Sequence, residues 1–146
     1  MKKTFVYILG LIFIISACDT LPDPEMETVK TFPVSGEWYV HEYYGDGSDY
    51  GPYHLEIFNT AFSKDSVWIS NIYDDGVVVK SLVNGDKTFD ITDGVDYSGG
   101  YGKATLSNTK IINTDSIYFN VVLYDTDGEV ESEFYIAGRR YSSLNE

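Results

Sequence analysis

The sequence predicts an all-β domain, an eight-stranded antiparallel up-and-down barrel that follows a short apolar leader. Three observations carry this prediction. After residue 33, apolar and polar residues alternate with a period of two, as they do along half-buried strands. Glycine, asparagine and aspartate interrupt the alternation at short intervals, where turns are expected. No segment after Cys18 has helical periodicity. Closing the sheet into a barrel removes its exposed edges, and a two-sheet sandwich is the alternative.

The leader, residues 1–17, reads as a signal peptide. Two lysines precede an apolar run over residues 5–15, which has the length of a signal-peptide core and is too short to span a bilayer. The run ends in Ile15-Ser16-Ala17-Cys18, which resembles the bacterial lipobox, where the cysteine is lipidated and the preceding segment is removed. Two acyl chains suffice for stable membrane anchoring. A short transmembrane anchor with an incidental cysteine is the alternative.

Residues 18–33 are predicted to be the lipidated cysteine and an acidic linker, and residues 34–146 the barrel domain. Two prolines and four acidic residues among residues 19–31 leave too few apolar groups for a packed segment. A plain spacer is one interpretation. The scattered acids also resemble the export tethers of Bacteroidetes surface lipoproteins. We therefore expect a lipid-anchored protein of the cell envelope, at the outer membrane.

The charge of the chain narrows its partners. The net charge is −13, and it becomes −15 without residues 1–17, which hold two lysines and no acid. Nucleic acid needs a basic face, and so does electrostatic attachment to anionic lipid. We expect no nucleic-acid partner, and membrane contact through Cys18 alone.

The first four strands follow from alternation and from the turns between them. They are predicted at residues 36–44, 53–59, 66–73 and 77–83. Gly45-Asp46-Gly47 ends the first strand, and Asp74-Asp75-Gly76 ends the third. On the fourth strand, Lys80 marks the solvent face and Val79 the inner face.

The last four strands follow from two tight turns and one glycine-rich loop. Asn84-Gly85 suits a two-residue hairpin, because both residues tolerate positive φ, and it predicts a turn into a fifth strand. A glycine-rich loop covers residues 93–102, and Asp127-Gly128 makes the last turn. The strands are predicted at residues 87–92, 103–107 (extending to 112 in a longer interpretation), 116–124 and 130–141.

Strand parity directs a set of apolar side chains into the barrel. Its members are Trp38, Val40, Leu55, Ile57, Val79, Phe89, Phe119, Val121 and Phe134. An eight-stranded barrel is either filled by such side chains or just wide enough for one small ligand, and both possibilities stay open. A hollow barrel with this lining would bind a small apolar or lipid-like molecule.

A filled barrel would move function to the surface. The chain has 13 tyrosines, and several rings fall towards the early and middle loops: Tyr43, Tyr44, Tyr50, Tyr53 and Tyr101. Exposed aromatic faces there would serve a glycan- or protein-interaction module, although tyrosine is also ordinary strand surface.

The sequence shows no catalytic constellation and predicts no metal or cofactor. The histidines, His41 and His54, lie in strands beside tyrosines and without a serine or acid at a telling spacing. No Gly-x-Ser-x-Gly elbow occurs. The acidic segment 125–129 fits a hairpin turn better than a calcium loop.

Gly36-Glu37-Trp38, at the start of the first strand, resembles the Gly-x-Trp of lipocalins and other calycins. In those folds the tryptophan closes the base of the barrel, and an arginine near the end of the last strand packs across it. The resemblance assigns these roles to Trp38 and Arg140, since Arg140 shares the parity of Phe134 and Ile136. A guanidinium over an indole face is a favourable contact.

Further motifs in the same order resemble a narrower family. They are Asn59-Thr60-Ala61, Asp65-Ser66-Val67-Trp68, Asp115-Ser116-Ile117-Tyr118-Phe119 and Gly138-Arg139-Arg140. With the Gly-x-Trp they resemble the lipocalin-like lipoproteins of Bacteroidetes classed as lipid-binding putative hydrolases, over residues 34–144. The resemblance implies a lipid-binding barrel, whereas the residues give hydrolysis little support. The chain departs from that family at Tyr141-Ser142-Ser143, where a Thr-Gly-Phe-like ending is expected.

Overall fold

One antiparallel sheet makes up the protein in this computed structural model, which describes residues 30–74 and 76–142. Its strands are β1 (Gly36–Tyr44), β2 (Asp49–Asn59), β3 (Ser66–Ile72), β4 (Val77–Leu82), β5 (Ile91–Val95), β6 (Lys103–Ile112), β7 (Ser116–Tyr124) and β8 (Val130–Arg140). Across the sheet they run β4-β3-β2-β1-β8-β7-β6-β5. The predicted up-and-down barrel is therefore confirmed, nearly closed, and the sandwich is wrong.

The predicted strands agree closely with this sheet, with one exception. β1 and β7 have the predicted bounds, β2 begins earlier at Asp49, and β6 runs the full length to Ile112. The predicted leader and most of the linker lie outside the described residues. None of the described residues forms a helix that is long and apolar enough to cross a membrane.

The exception is β5, which was predicted at residues 87–92 and lies at Ile91–Val95. The turn before it is wider than a two-residue hairpin, because the Asn84 amide bonds the Thr88 carbonyl and the positive φ (68°) falls on Lys87. The Phe89 ring then turns into the core, and its amide donates to Thr109 Oγ1 at 2.7 Å. Because Phe89 is buried and bonded in this way, β5 begins only at Ile91.

β4 and β5 face each other as the two ends of the sheet, and a few hydrogen bonds replace a ladder between them. The Tyr97 amide donates to the Val78 carbonyl at 2.8 Å, and the Val78 amide donates to Asp96 Oδ1 at 3.0 Å. Nearer the other end of this seam, Ser81 Oγ donates to the Phe89 carbonyl at 2.7 Å. The Asp96 carboxylate therefore accepts the backbone hydrogen bond that a carbonyl of a neighbouring strand would accept in a regular ladder.

The Asp96 carboxylate also organises the loop that follows β5. It is 6% exposed and accepts the amides of Ser98, Gly100 and Tyr101. Burial by itself raises the pKa of Asp96, but these hydrogen bonds and that of the Ser98 hydroxyl outweigh burial and hold the pKa below its ordinary value. The glycine-rich loop is thus fixed by hydrogen bonds to the same carboxylate that joins β5 to β4.

Trp38 and Arg140 close the end of the barrel where β1 begins and β8 ends, which we call the base. Trp38 is fully buried, and its Nε1 donates to the Val34 carbonyl at 3.1 Å. The Arg140 guanidinium carbon lies 4.3 Å from the centre of the indole ring. Its nitrogens donate to the carbonyls of Pro33 (2.7 Å), Ser35 and Thr114 (3.0 Å). Burial lowers the pKa of Arg140.

Gly36 explains why the motif at the base begins with glycine. Its φ is +134°, which side-chain-bearing residues rarely adopt, and a Cβ there would lie 2.6 Å from Arg140 Nη1. Any larger residue would force the Arg140 guanidinium to shift.

Truncating Trp38 should destabilise the folded barrel. Trp38→Ala is expected to cost about 3–5 kcal/mol of unfolding free energy, as for other buried aromatics. Urea unfolding would measure the loss. Phe62→Ala is the matched control, because this ring is fully exposed and its removal should change stability by less than about 0.5 kcal/mol. Equal stability of the two variants would contradict the role of Trp38 in the core.

Candidate functional site

Side chains fill the middle of the barrel. The nine apolar residues that parity directed inward are between 0 and 4% exposed, and they belong to one buried cluster. Phe89 packs edge to face on Phe119, with 5.7 Å between ring centres. Side chains without exposure leave no water-sized space beside them, so the geometry favours the filled barrel. That these residues contact a ligand stays a prediction.

An open pocket lies at the opposite end from Trp38, which we call the mouth. Here β1 ends at Tyr44, β2 begins at Asp49 and β3 ends at Ile72. The pocket has a volume of about 240 Å³. Its lining residues are Glu42, Tyr44, Tyr50, Tyr73 and Asp74.

Glu42 is a buried acidic side chain in the pocket. It follows Trp38 and Val40 on the inward face of β1 and is only 1% exposed. A buried carboxylate is costly unless hydrogen bonds replace its water. Tyr44 Oη donates to Glu42 Oε2, and Tyr53 Oη donates to Glu42 Oε1, each at 2.6 Å. Each carboxylate oxygen therefore has a phenol donor.

The two phenols are held in their protonated form. Burial raises the pKa of Tyr53, and the hydrogen bond to Glu42 and the charge of that carboxylate raise it further. The same causes, in the same order, raise the pKa of Tyr44. Loss of either proton would place a phenolate against a carboxylate. Both hydroxyls thus remain donors to Glu42 at neutral pH.

The turn between β3 and β4 supplies the other wall. Tyr73 and Asp74 have φ values of 65° and 44°, in the left-handed region that a bulky residue such as tyrosine seldom occupies. The Tyr73 ring packs on Phe134 (5.5 Å between centres) and on Tyr101 (6.1 Å, edge to face). Tyr50 Oη donates to Asp74 Oδ2 at 2.7 Å. These contacts hold the unusual backbone in place.

The histidines are not part of the described lining of the mouth pocket. This lining contains carboxylates and phenols but neither a histidine nor a hydroxyl nucleophile such as serine. The histidines lie on the outer face of β1 and β2, where His41 Nδ1 is 3.3 Å from Asp49 Oδ2 and His54 Nδ1 is 3.9 Å from Glu37 Oε2. Across the described ranges, no group of three histidine, cysteine or acidic side chains could hold a metal.

The predicted surface tyrosines divide in the structure. Tyr50 is 53% exposed. Tyr53 is 5% exposed and belongs to the core, so its place among the exposed rings is wrong, and Tyr44 and Tyr101 are half-buried against the core. These three rings line or support the mouth. Tyr43 does lie on the outer face, but its ring stacks on Tyr135 at 4.9 Å and 12°. That stacking covers one ring face and leaves less of it for a sugar.

Sequence reasoning missed Glu42. The signal was present, because the alternation that directs Trp38 and Val40 inward also directs Glu42. An acidic residue at an inward position needs hydrogen-bond donors. Tyrosines on the same strand and on the next can supply them, so this pattern predicts a buried polar network.

The family comparison agrees with this geometry. The model of the family described as lipid-binding putative hydrolase matches residues 23–145. The chain belongs to this family. No curated protein and no solved structure gives a significant match. The match confirms the resemblance to the lipid-binding putative hydrolases, and with the barrel it supports a lipid-binding β-barrel.

The phenol pair predicts a loss of stability in alkali. A pKa that is raised in the folded state stabilises the fold below the unfolded tyrosine pKa of about 10, and this stabilisation is lost as pH rises further. Urea unfolding between pH 9 and 11 should show this decline. In Tyr53→Phe the decline should be shallower, by up to about 1.4 kcal/mol per pH unit. A Tyr53→Phe curve parallel to that of the wild type would contradict the role of this hydroxyl.

Proposed function

We propose that this barrel binds a small lipid-like molecule at its mouth. The observation that carries the proposal is the pocket above Glu42, which combines carboxylates with the ring faces of tyrosines that pack on the apolar core. The link is Phe134, whose ring lies 5.5 Å from the rings of both Tyr44 and Tyr73. A polar head group would sit beside Glu42 and Asp74, with the apolar part against the rings of Tyr44 and Tyr73, which rest on Phe134.

The size of the pocket limits the ligand. Its volume of about 240 Å³ lies just below the roughly 300–1,000 Å³ typical of small-molecule sites. It holds a head group and the first part of one chain. We therefore propose a single-chain amphiphile rather than a two-chain lipid.

Binding of monolauroylglycerol below its micelle concentration tests this proposal. Isothermal titration calorimetry of the full chain should show binding. Tyr73→Ala should weaken binding about tenfold, equal to 1.4 kcal/mol, because it removes the wall that contacts Phe134. Phe58→Ala, an exposed ring on β2 outside the pocket, is the control and should bind as the wild type does. No binding by the folded protein, or equal binding by both variants, would contradict the proposal.

We also propose that acyl chains on Cys18 hold the protein at a membrane of the bacterial envelope, at the outer membrane. Residues 1–29 lie outside the described residues, so the support is the lipobox-like Ile15-Ser16-Ala17-Cys18 after an apolar run of signal-peptide length. The acidic character of the chain fits an anchor that does not depend on basic residues.

Metabolic labelling tests the anchor. Cells that express the full chain with an alkyne fatty acid should give a labelled protein, and Cys18→Ala should lose the label completely, since the chain has one cysteine. Label retained by Cys18→Ala would place the acyl chains elsewhere. A wild type that takes up no label would favour the transmembrane alternative.

A further inference from the structure

The side chains that line the mouth pocket are all acidic or phenolic. The five residues are two carboxylates, Glu42 and Asp74, and three tyrosines, with no lysine, arginine or histidine among them. The whole chain has the same sign, with a net charge of −13. A ligand in this pocket therefore meets negative charge at short range and at long range.

Three tyrosine hydroxyls already donate hydrogen bonds to these carboxylates. Those of Tyr44 and Tyr53 donate to Glu42, and that of Tyr50 donates to Asp74. What these phenols still offer a ligand is oxygen lone pairs and ring surface. An anionic head group would thus enter beside a buried carboxylate and find three donors turned away from it.

We propose that the mouth pocket selects amphiphiles with a positively charged organic ammonium head group over those with an anionic one. This inference rests on the proposed function. Aromatic rings attract ammonium groups through their negative faces, and sites that recognise quaternary ammonium combine several such rings. The nearby carboxylate of Glu42 adds Coulomb attraction, which is stronger where water is excluded. An anion would instead be desolvated without a partner of opposite charge.

Three amphiphiles with twelve-carbon chains test the selection: dodecyltrimethylammonium, monolauroylglycerol and dodecanoate. Each is titrated below its micelle concentration into the full chain, at 150 mM salt to screen long-range charge. Dodecyltrimethylammonium should bind at least tenfold more tightly than monolauroylglycerol, and dodecanoate should bind most weakly. Equal affinities, or tighter binding of dodecanoate, would overturn the head-group selection while leaving lipid binding itself intact. Binding of none of the three would instead reject the proposed function.

A matched pair of variants separates the pocket from the overall charge. Glu42→Gln should reduce the ammonium preference at least tenfold, whereas Glu56→Gln, which removes the same charge from the exposed face of β2, should keep it. Asp74→Asn is a second pocket variant at an exposed position, and it should reduce the preference even if Glu42→Gln unfolds the barrel. Equal preferences in Asp74→Asn and Glu56→Gln would show that net charge, and not the pocket, draws the cation.

Discussion

The contact between Arg140 and Trp38 is the interaction on which the closed base of this barrel depends. One guanidinium covers the indole of β1 and bonds carbonyls of the entering chain and of the β6–β7 turn. These segments are far apart in sequence, and the last strand ties them together only once it pairs with the first. A planar group with five donors can bond in several directions at once, which lysine cannot do.

The charged side chains at the two ends of the barrel are satisfied in different ways. At the base, the Arg140 cation is satisfied by backbone carbonyls and an aromatic face. At the mouth, the Glu42 anion is satisfied by two phenols. Between them lies an apolar core, so neither charge neutralises the other. The base is therefore bonded through backbone carbonyls, whereas the mouth is bonded through side chains that also line a pocket.

Much of the fold could be predicted from the sequence, because alternation holds strictly where one face of a strand is buried. Ile117, Phe119, Val121 and Leu123 show this in β7. β5 could not be placed, because its start depends on Phe89 bonding Thr109 twenty residues later. The site was harder still. A buried Glu42 is costly until its partners are known, and the positive φ of Tyr73 is not encoded by its residue type.

The entry point of the chain has a consequence for how the molecule would stand on a surface. Lys30 lies at the base, where its Nζ is 3.2 Å from Asp65 Oδ2. If Cys18 carries the acyl chains, the base is the end of the barrel that is tethered to the membrane. The mouth pocket then lies at the end away from the tether. The eleven residues between Cys18 and Lys30 reach at most about 40 Å when extended. Such a molecule would collect its ligand from the aqueous side and would have to tip over to pass that ligand to the bilayer.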